Sequence, residues 1–240
     1  MQFIDHVFVF LLVVGQPVHG WFEYRRYVKL IETGSAPDRN TFYRSTLIVE
    51  WMALAVLIFT WFYFHRPFSD LGIVRPGGSR FWIGAALLFL ACGYLIYAWQ
   101  SAIAMSDADK NRYRAKLGYL SHFLPATKRE LHTFFGVSVT AGIVEEAIYR
   151  GFMLWYFGQM MPLWAAVIGS SVIFGLGHSY LGASGCIRTG IAGLAFGVFY
   201  VFTGSIWLPI VGHALFDALQ GITLREILRD NSVEERRKQE

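Results

Sequence analysis

The sequence predicts an all-α fold, a polytopic membrane helix bundle of about seven transmembrane helices with the N-terminus outside and the C-terminus cytoplasmic. Composition gives the first indication, since 55% of residues are hydrophobic, 17% are aromatic and the mean hydropathy is +0.41. Only 16% are charged, whereas a globular domain has about 25%. The chain therefore has the composition of a membrane protein.

Apolar runs give the second indication, because crossing about 30 Å of hydrocarbon takes roughly 20 residues in a helix. The predicted spans are 3–19, 45–65, 81–105, 131–157, 162–180, 189–204 and 206–223. Only Gly204 and Ser205 separate the last two, which predicts a tight helical hairpin. No repeat and no low-complexity linker divides the chain, so we expect one compact bundle.

The first span starts with a segment that is similar to a signal-peptide core, FVFLLVV at 8–14. A basic leader and a small-x-small cleavage site are missing, and Asp5 and His6 stand where positive charges are expected. We interpret the segment as a retained span. The following stretch, 21–32, mixes aromatic and charged residues and predicts an interfacial helix.

Basic residues set the predicted orientation and give the third indication. One side of the predicted bundle carries seventeen lysines and arginines, and the other side carries three. The seventeen lie in loops 20–44 and 106–130, at Arg188 and in the tail after residue 223. By the positive-inside rule the richer side is cytoplasmic. The net charge of +4 and the pI of 9.1 therefore indicate anionic lipid head groups as neighbours, not nucleic acid.

Two further features have plain structural interpretations. The tail from Arg225 to Glu240 carries both charge signs and is interpreted as a solvated helix. Cys92 and Cys186 form neither a disulfide framework nor a metal-binding spacing, so both are predicted to be packing residues.

Ionisable residues inside the fourth span are the strongest functional signal. Glu145, Glu146 and Arg150 lie in GIVEEAIYRGF, and a carboxylate near the bilayer centre costs several kcal/mol unless it is solvated, paired or required for function. Positions four apart share a helix face, which predicts a Glu146–Arg150 ion pair and leaves Glu145, about 100° away, to face a cavity. Spacing alone leaves open which glutamate is paired.

Two later spans carry histidines. His178 ends FGLGH, and His213 lies four residues before Asp217 in GHALFDAL. Three spans with such groups predict a shared polar cavity. Glycines at 175 and 177 allow close backbone approach near His178, and those at 190, 193 and 197 predict close helix packing.

These residue types suit hydrolysis. A carboxylate in a low-dielectric cavity can serve as a general base on water, and a neighbouring histidine can relay the proton. A second histidine with a polar partner can stabilise the oxyanion of a tetrahedral intermediate.

The motifs resemble those of the CPBP family of intramembrane proteases, the CAAX-prenyl endopeptidases and bacteriocin-processing or immunity proteins also called the Abi family. EEAIYR fits EExxxR, FGLGH fits FxxxH and HALFD fits HxxxN/D, in this order over 131–223. The resemblance divides the chain into N-terminal spans and basic loops (1–130), a catalytic helix core (131–223) and a charged cytoplasmic tail (224–240).

The resemblance also implies roles for the site residues. Glu145 would be the base that activates water, with His178 assisting it. His213 and Asp217 would stabilise the oxyanion, with Glu146 and Arg150 supporting the site. Prenyl-protein enzymes of eukaryotes commonly have asparagine at the position of Asp217, and an aspartate can donate to an oxyanion only when protonated, or it can orient His213.

The depth of two residues provides a test of this arrangement. Glu145 lies about 15–20 Å up its span at 1.5 Å per residue, whereas His178 falls near the cytoplasmic end of the next one. The two meet only if the span of Glu145 is tilted or starts later than residue 131, or if the span of His178 extends beyond residue 180.

Three other functions compete with a glutamate-dependent protease. Histidines and carboxylates can form a zinc site, although the chain has no HExxH; the prediction includes neither a metal nor a cofactor. A non-catalytic immunity or scaffold protein of the same fold is the second, and a proton-coupled transporter is the third. The predicted partners are membrane lipids and a membrane-associated peptide or protein, and the predicted location is a bacterial inner membrane. Neither the substrate nor the oligomeric state follows from the sequence.

Overall fold

The structure, a computed structural model, describes residues 1–229, and the regular elements in this range are all helical. The predicted all-α class is confirmed. The α-helices are α1 (Phe3–Phe10), α2 (Gln16–Glu32), α3 (Arg39–Tyr63), α4 (Gly78–Ile103), α5 (Asp107–Leu117), α6 (Lys128–Glu145), α7 (Leu154–Gly158), α8 (Leu163–Gly177), α9 (Gly182–Thr203) and α10 (Trp207–Leu228). Wider π-helical segments, Leu11–Gly15 and Glu146–Met153, join α1 to α2 and α6 to α7.

Four helical stretches of the described chain are long and apolar enough to cross a bilayer. They are Phe3–Glu32, Arg39–Tyr63, Gly78–Ile103 and Ser179–Thr203, and the apolar α8 is shorter. The α6–α7 stretch and α10 contain the ionisable residues that the sequence singled out, and these lower their hydropathy. The protein therefore has several membrane-spanning helices, while the count of seven stays a prediction.

Some predicted boundaries were wrong. The first span does not end at residue 19, because the helix continues without a break through the stretch predicted to be interfacial, up to Glu32. The short sixth span starts earlier than predicted, since α9 begins at Gly182. The tight hairpin after α9 is confirmed, and Gly204 adopts a left-handed conformation there with φ 64°. Residues 230–240 of the predicted tail lie outside the described part.

Contacts between α3 and α6 show that these helices run in the same direction. Three pairs advance in step along both: Arg39 with Glu130, Tyr43 with Phe134, and Trp51 with Thr140. By contrast α10 is antiparallel to α6, because Gly142 lies against Ala214 and Gly221 against Phe134. The fourth span is thus flanked by α3 and α10.

A buried ion pair joins the start of the chain to the end of α3. The Arg66 guanidinium donates to both carboxylate oxygens of Asp5, at 2.8 and 2.7 Å, and stacks 4.6 Å from the Trp155 ring centroid. His6 Nδ1 lies 2.6 Å from Tyr156 Oη. The two polar residues that are unusual for a signal peptide thus have structural partners.

The first turn of α6 is fixed by Glu130, which precedes the apolar run 131–157. Thr127 and Glu130 form a capping box, and Glu130 also pairs with Arg39 at 3.3 Å. Burial raises the pKa of Glu130, but hydrogen bonds from the Ala126 and Thr127 N–H groups and the Arg39 charge together hold this pKa below its ordinary value. The carboxylate form therefore stabilises this end of α6.

Glu130→Gln is expected to destabilise the protein by about 1 kcal/mol at neutral pH, the usual value of a helix cap. A depressed folded-state pKa contributes stability above the unfolded-state pKa of about 4.3, and this contribution is lost as the pH falls through the folded-state value. The difference in thermal midpoint between variant and wild type, measured in micelles, should thus shrink below about pH 4. A constant difference from pH 3 to 7 would contradict this, and Glu23→Gln at an exposed pair is the control.

Candidate active site

The site begins where α6 passes into the π-helical segment Glu146–Met153. A π segment within a helix is rare and is often found at functional positions, because it changes the direction of the side chains. Glu146 is fully buried, whereas 17% of the Glu145 side chain is exposed. The two neighbouring glutamates therefore lie in different environments, as their spacing predicts.

Glu146 and Arg150 form the predicted ion pair. The guanidinium Nη1 donates to Glu146 Oε1 at 2.8 Å, and Nη2 donates to the Gly193 carbonyl of α9 at 3.1 Å. The cation also lies 4.6 Å from the ring centroid of Phe174. Arg150 thus neutralises Glu146 and ties three helical elements together.

His213 of α10 connects both glutamates. Its Nδ1 lies 2.7 Å from Glu146 Oε1, its ring stacks on Phe196, and its Nε2 lies 3.7 Å from Glu145 Oε2. Asp217 Oδ2 lies 3.6 Å from the same Nε2. Glu146 therefore fixes one ring nitrogen, and the other nitrogen faces the two less buried carboxylates.

His178 lies at the end of α8, on the other side of Phe174. Its Nδ1 is 2.8 Å from the Phe174 carbonyl, which can only accept, so Nδ1 carries the proton and Nε2 is left available. The Phe174 ring centroid lies 4.8 Å from the His178 ring and 6.1 Å from that of His213. No hydrogen bond or ion pair joins His178 to Glu145 among the described residues.

The depth of α8 agrees with a shared site. Gln16 Oε1 accepts from Tyr149 Oη at 2.6 Å, and a Cβ built on Gly177 would lie 3.1 Å from Gln16 Nε2 and 3.2 Å from Tyr149 Oη. The end of α8 thus lies beside the residue one helical turn after Glu145. The apparent conflict in depth is resolved by the packing of α8 on the π segment.

Glycines bring the helices of the site together. A Cβ on Gly142 of α6 would lie 2.8 Å from the Ile210 carbonyl oxygen of α10, and a Cβ on Gly175 of α8 would lie 2.6 Å from that of Cys186 in α9. On α9, Cβ atoms at Gly193 and Gly197 would lie 3.0 Å from side chains of α8. The close packing predicted at Gly175, Gly193 and Gly197 is confirmed, and Gly142 provides a further close contact.

Gly142→Val is expected to push α10 away from α6, because the added atoms overlap backbone that cannot rotate away. We expect a loss of about 1–3 kcal/mol of stability and a loss of activity, since His213 lies just beyond on α10. Gly136→Val is the matched control, because a Cβ at Gly136 on the same helix meets no atom within 4 Å. Thermal unfolding that is equal in the two variants would contradict this account.

Sequence reasoning missed Glu50. This residue of α3 lies within the predicted span 45–65, and its Oε2 is buried with no hydrogen-bond partner among the described residues. Glu145, His213 and Asp217 are its main charged neighbours. The same cost of an acidic residue inside a span that identified Glu145 was the signal that could have found it.

Beside His178 lies an open cavity of about 590 Å³ with a basic lining. Its wall includes Tyr180, whose ring centroid is 5.8 Å from that of His178, and the cations Arg25, Lys116 and Arg188. Within residues 1–229, no three histidine, cysteine or acidic side chains are grouped so that they could hold a metal ion.

Taken together, apolar helices enclose a polar cluster of Glu145, His213, Asp217 and the neutralised Glu146–Arg150 pair, with His178 on the other side of Phe174. Residues 127–219, which carry all three motifs, match the family model described as Type II CAAX prenyl endopeptidase Rce1-like. This match confirms the family resemblance predicted from the motifs and implies a membrane protease. No curated protein and no solved structure gives a significant match to the chain.

Proposed function

We propose that the protein is an intramembrane glutamate-dependent endopeptidase that cleaves a membrane-associated peptide or protein. The observation that carries the proposal is the position of Glu145, whose carboxylate faces His213 Nε2 at 3.7 Å inside a polar cluster enclosed by apolar helices. A general base must have a carboxylate oxygen free to accept a hydrogen bond from water. Glu145 meets this requirement better than Glu146, which Arg150 and His213 occupy.

In the proposed reaction Glu145 takes a proton from water while the water oxygen forms a bond to the scissile carbonyl carbon. His178 assists, because its Nδ1–H is held by the Phe174 carbonyl and its Nε2 can accept a hydrogen bond from the same water. When the carbon–nitrogen bond breaks, the proton on Glu145 passes to the leaving amine. Every proton is thereby accounted for without a further group.

His213 is proposed to stabilise the oxyanion. As an imidazolium it donates Nδ1–H to Glu146 and keeps Nε2–H for the developing negative charge. Asp217 lies 3.6 Å from Nε2, slightly beyond a hydrogen bond, so it orients the ring or, when protonated, donates as well. The Glu146–Arg150 pair supports this by holding the imidazole in place.

We also propose the membrane arrangement predicted from the sequence. Seven helical passes, with 131–223 as the catalytic core and 1–130 as the surrounding spans, place the N-terminus outside and the basic segments in the cytoplasm. The antiparallel packing of α10 on α6 supports alternating passes. A bacterial inner membrane is the proposed location, with anionic lipids as neighbours, and the basic cavity beside His178 is a candidate entry route for substrate.

Replacing Glu145 by glutamine in the native host tests the proposal. We expect uncleaved membrane-protein precursors to accumulate, as detected by N- and C-terminal proteomics, in the Glu145→Gln strain but not in a strain with Glu23→Gln. Glu23 is the matched control, because it undergoes the same chemical change at a side chain that is 51% exposed. Normal processing with the variant expressed at wild-type level would favour a non-catalytic scaffold or immunity protein. Loss of cleavage by the purified protein after chelation would favour a metal enzyme.

A further inference from the structure

Glu50 is an acidic residue of α3 that neither the motifs nor the proposed reaction uses. The carboxylate oxygen Oε2 is enclosed by protein, and no described residue bonds to it. Its neighbour Trp51 donates from Nε1 to Thr140 Oγ1 at 3.1 Å, which fixes this part of α3 against α6. Since α3 and α6 run in parallel and Trp51 is level with Thr140, Glu50 lies about one and a half helical turns below the level of Glu145.

The charged and titratable groups around Glu50 come from four helical elements. Glu145 of α6 is the strongest neighbour, followed by His213 and Asp217 of α10, and the phenols of Tyr149 and Tyr180 are also within its field. Glu50 is therefore part of the polar cluster and not a separate surface acid.

The available cations are already engaged by other carboxylates. Arg150 pairs with Glu146, and His213 contacts Glu146 and faces Glu145 and Asp217. No ion pair to Glu50 occurs within residues 1–229. An unpaired carboxylate oxygen that is enclosed by protein among like charges is costly, and protonation of the group removes this cost.

We propose that Glu50 is a positioning residue of the hydrolytic centre, a neutral carboxylic acid that donates its proton in a hydrogen bond to the water that Glu145 activates. The effect of Glu50 on catalysis rests on the proposed function, whereas the protonation of its side chain does not. The proton is retained and not transferred in the reaction, so the residue orients the base without adding a chemical step.

Infrared spectroscopy of the purified protein tests the protonation state independently of any activity. At pH 7 the wild type should show the carbonyl stretch of a protonated carboxylic acid. Glu50→Gln should lower the intensity of this band, whereas the control Glu23→Gln should leave it unchanged. A band that is unchanged in Glu50→Gln, or missing from the wild type, would overturn the proposal even if the protein proves to be a protease.

Enzyme kinetics then test the positioning role. The substrate is a precursor that accumulates in the Glu145→Gln strain. Glu50→Gln keeps a neutral donor and should retain kcat within about threefold, whereas Glu50→Leu removes one hydrogen bond and should lower kcat about tenfold or more with KM little changed. Thermal unfolding of both variants shows whether they fold. If folded Glu50→Leu is as active as the wild type, the positioning role is wrong. If Glu50→Gln loses as much activity as Glu50→Leu, the neutral-donor account is wrong.

Discussion

Glu145→Gln is expected to lower kcat for peptide cleavage by about 10²–10⁴-fold, the range that a positioned general base contributes. The amide has nearly the same shape as the carboxylate but cannot accept a proton from water. Glu145 has no cation paired within hydrogen-bond distance, because His213 Nε2 lies 3.7 Å away. The substitution should therefore leave the thermal midpoint and KM close to wild-type values while it removes turnover.

A rate within tenfold of the wild type would contradict the role of Glu145 as the base. Two controls narrow the interpretation. Glu23→Gln tests the same change at an exposed position, and a single-turnover measurement separates loss of chemistry from slow product release. If the Glu145→Gln variant is inactive but still binds substrate, the protein is a protease. A scaffold would lose its effect only by losing its binding partner.

The helical class was predictable because the apolar core of the bilayer directly constrains the composition and the length of the apolar runs that cross it. The number of spans was not, and the reason lies in the site itself. The α6–α7 stretch carries Glu145, Glu146 and Arg150, and α10 carries His213 and Asp217, so two of the helices that hold the proposed chemistry are not among the four apolar spans. Boundaries such as the end of the first span depend on tertiary packing, which local composition does not encode.

The geometry of the site was predictable only in part. Four-residue spacing gave the Glu146–Arg150 pair, since this contact is local to one helix. The contact of His213 with both glutamates depends on how α10 packs against α6 at Gly142, a long-range relationship that spacing cannot supply. Glu50 was missed for a related reason: its importance follows from the parallel register of α3 and α6, although its position inside an apolar run was visible.

Arg150→Met is expected to cause the largest loss of stability, about 3–5 kcal/mol, because it leaves the Glu146 carboxylate buried with only His213 as a possible cation. Glu146 is fully buried and the Arg150 side chain is 2% exposed. The substitution also removes the hydrogen bond to the Gly193 carbonyl and the contact with Phe174. Unfolding in mixed micelles, followed by denaturant titration, measures the difference.

The second substitution makes this prediction specific to the ion pair. Adding Glu146→Gln to Arg150→Met removes the stranded charge, so the double variant should be more stable than Arg150→Met alone, with a coupling energy of about 1–3 kcal/mol. Arg26→Met is the matched control, because its pair with Glu23 is 72% and 51% exposed and should contribute less than about 1 kcal/mol. Equal effects at Arg26 and Arg150 would show that the buried pair contributes no more than a solvent-exposed one. A double variant that regains stability but not cleavage would separate the two functions of Glu146, since its carboxylate is also needed to hold His213 Nδ1.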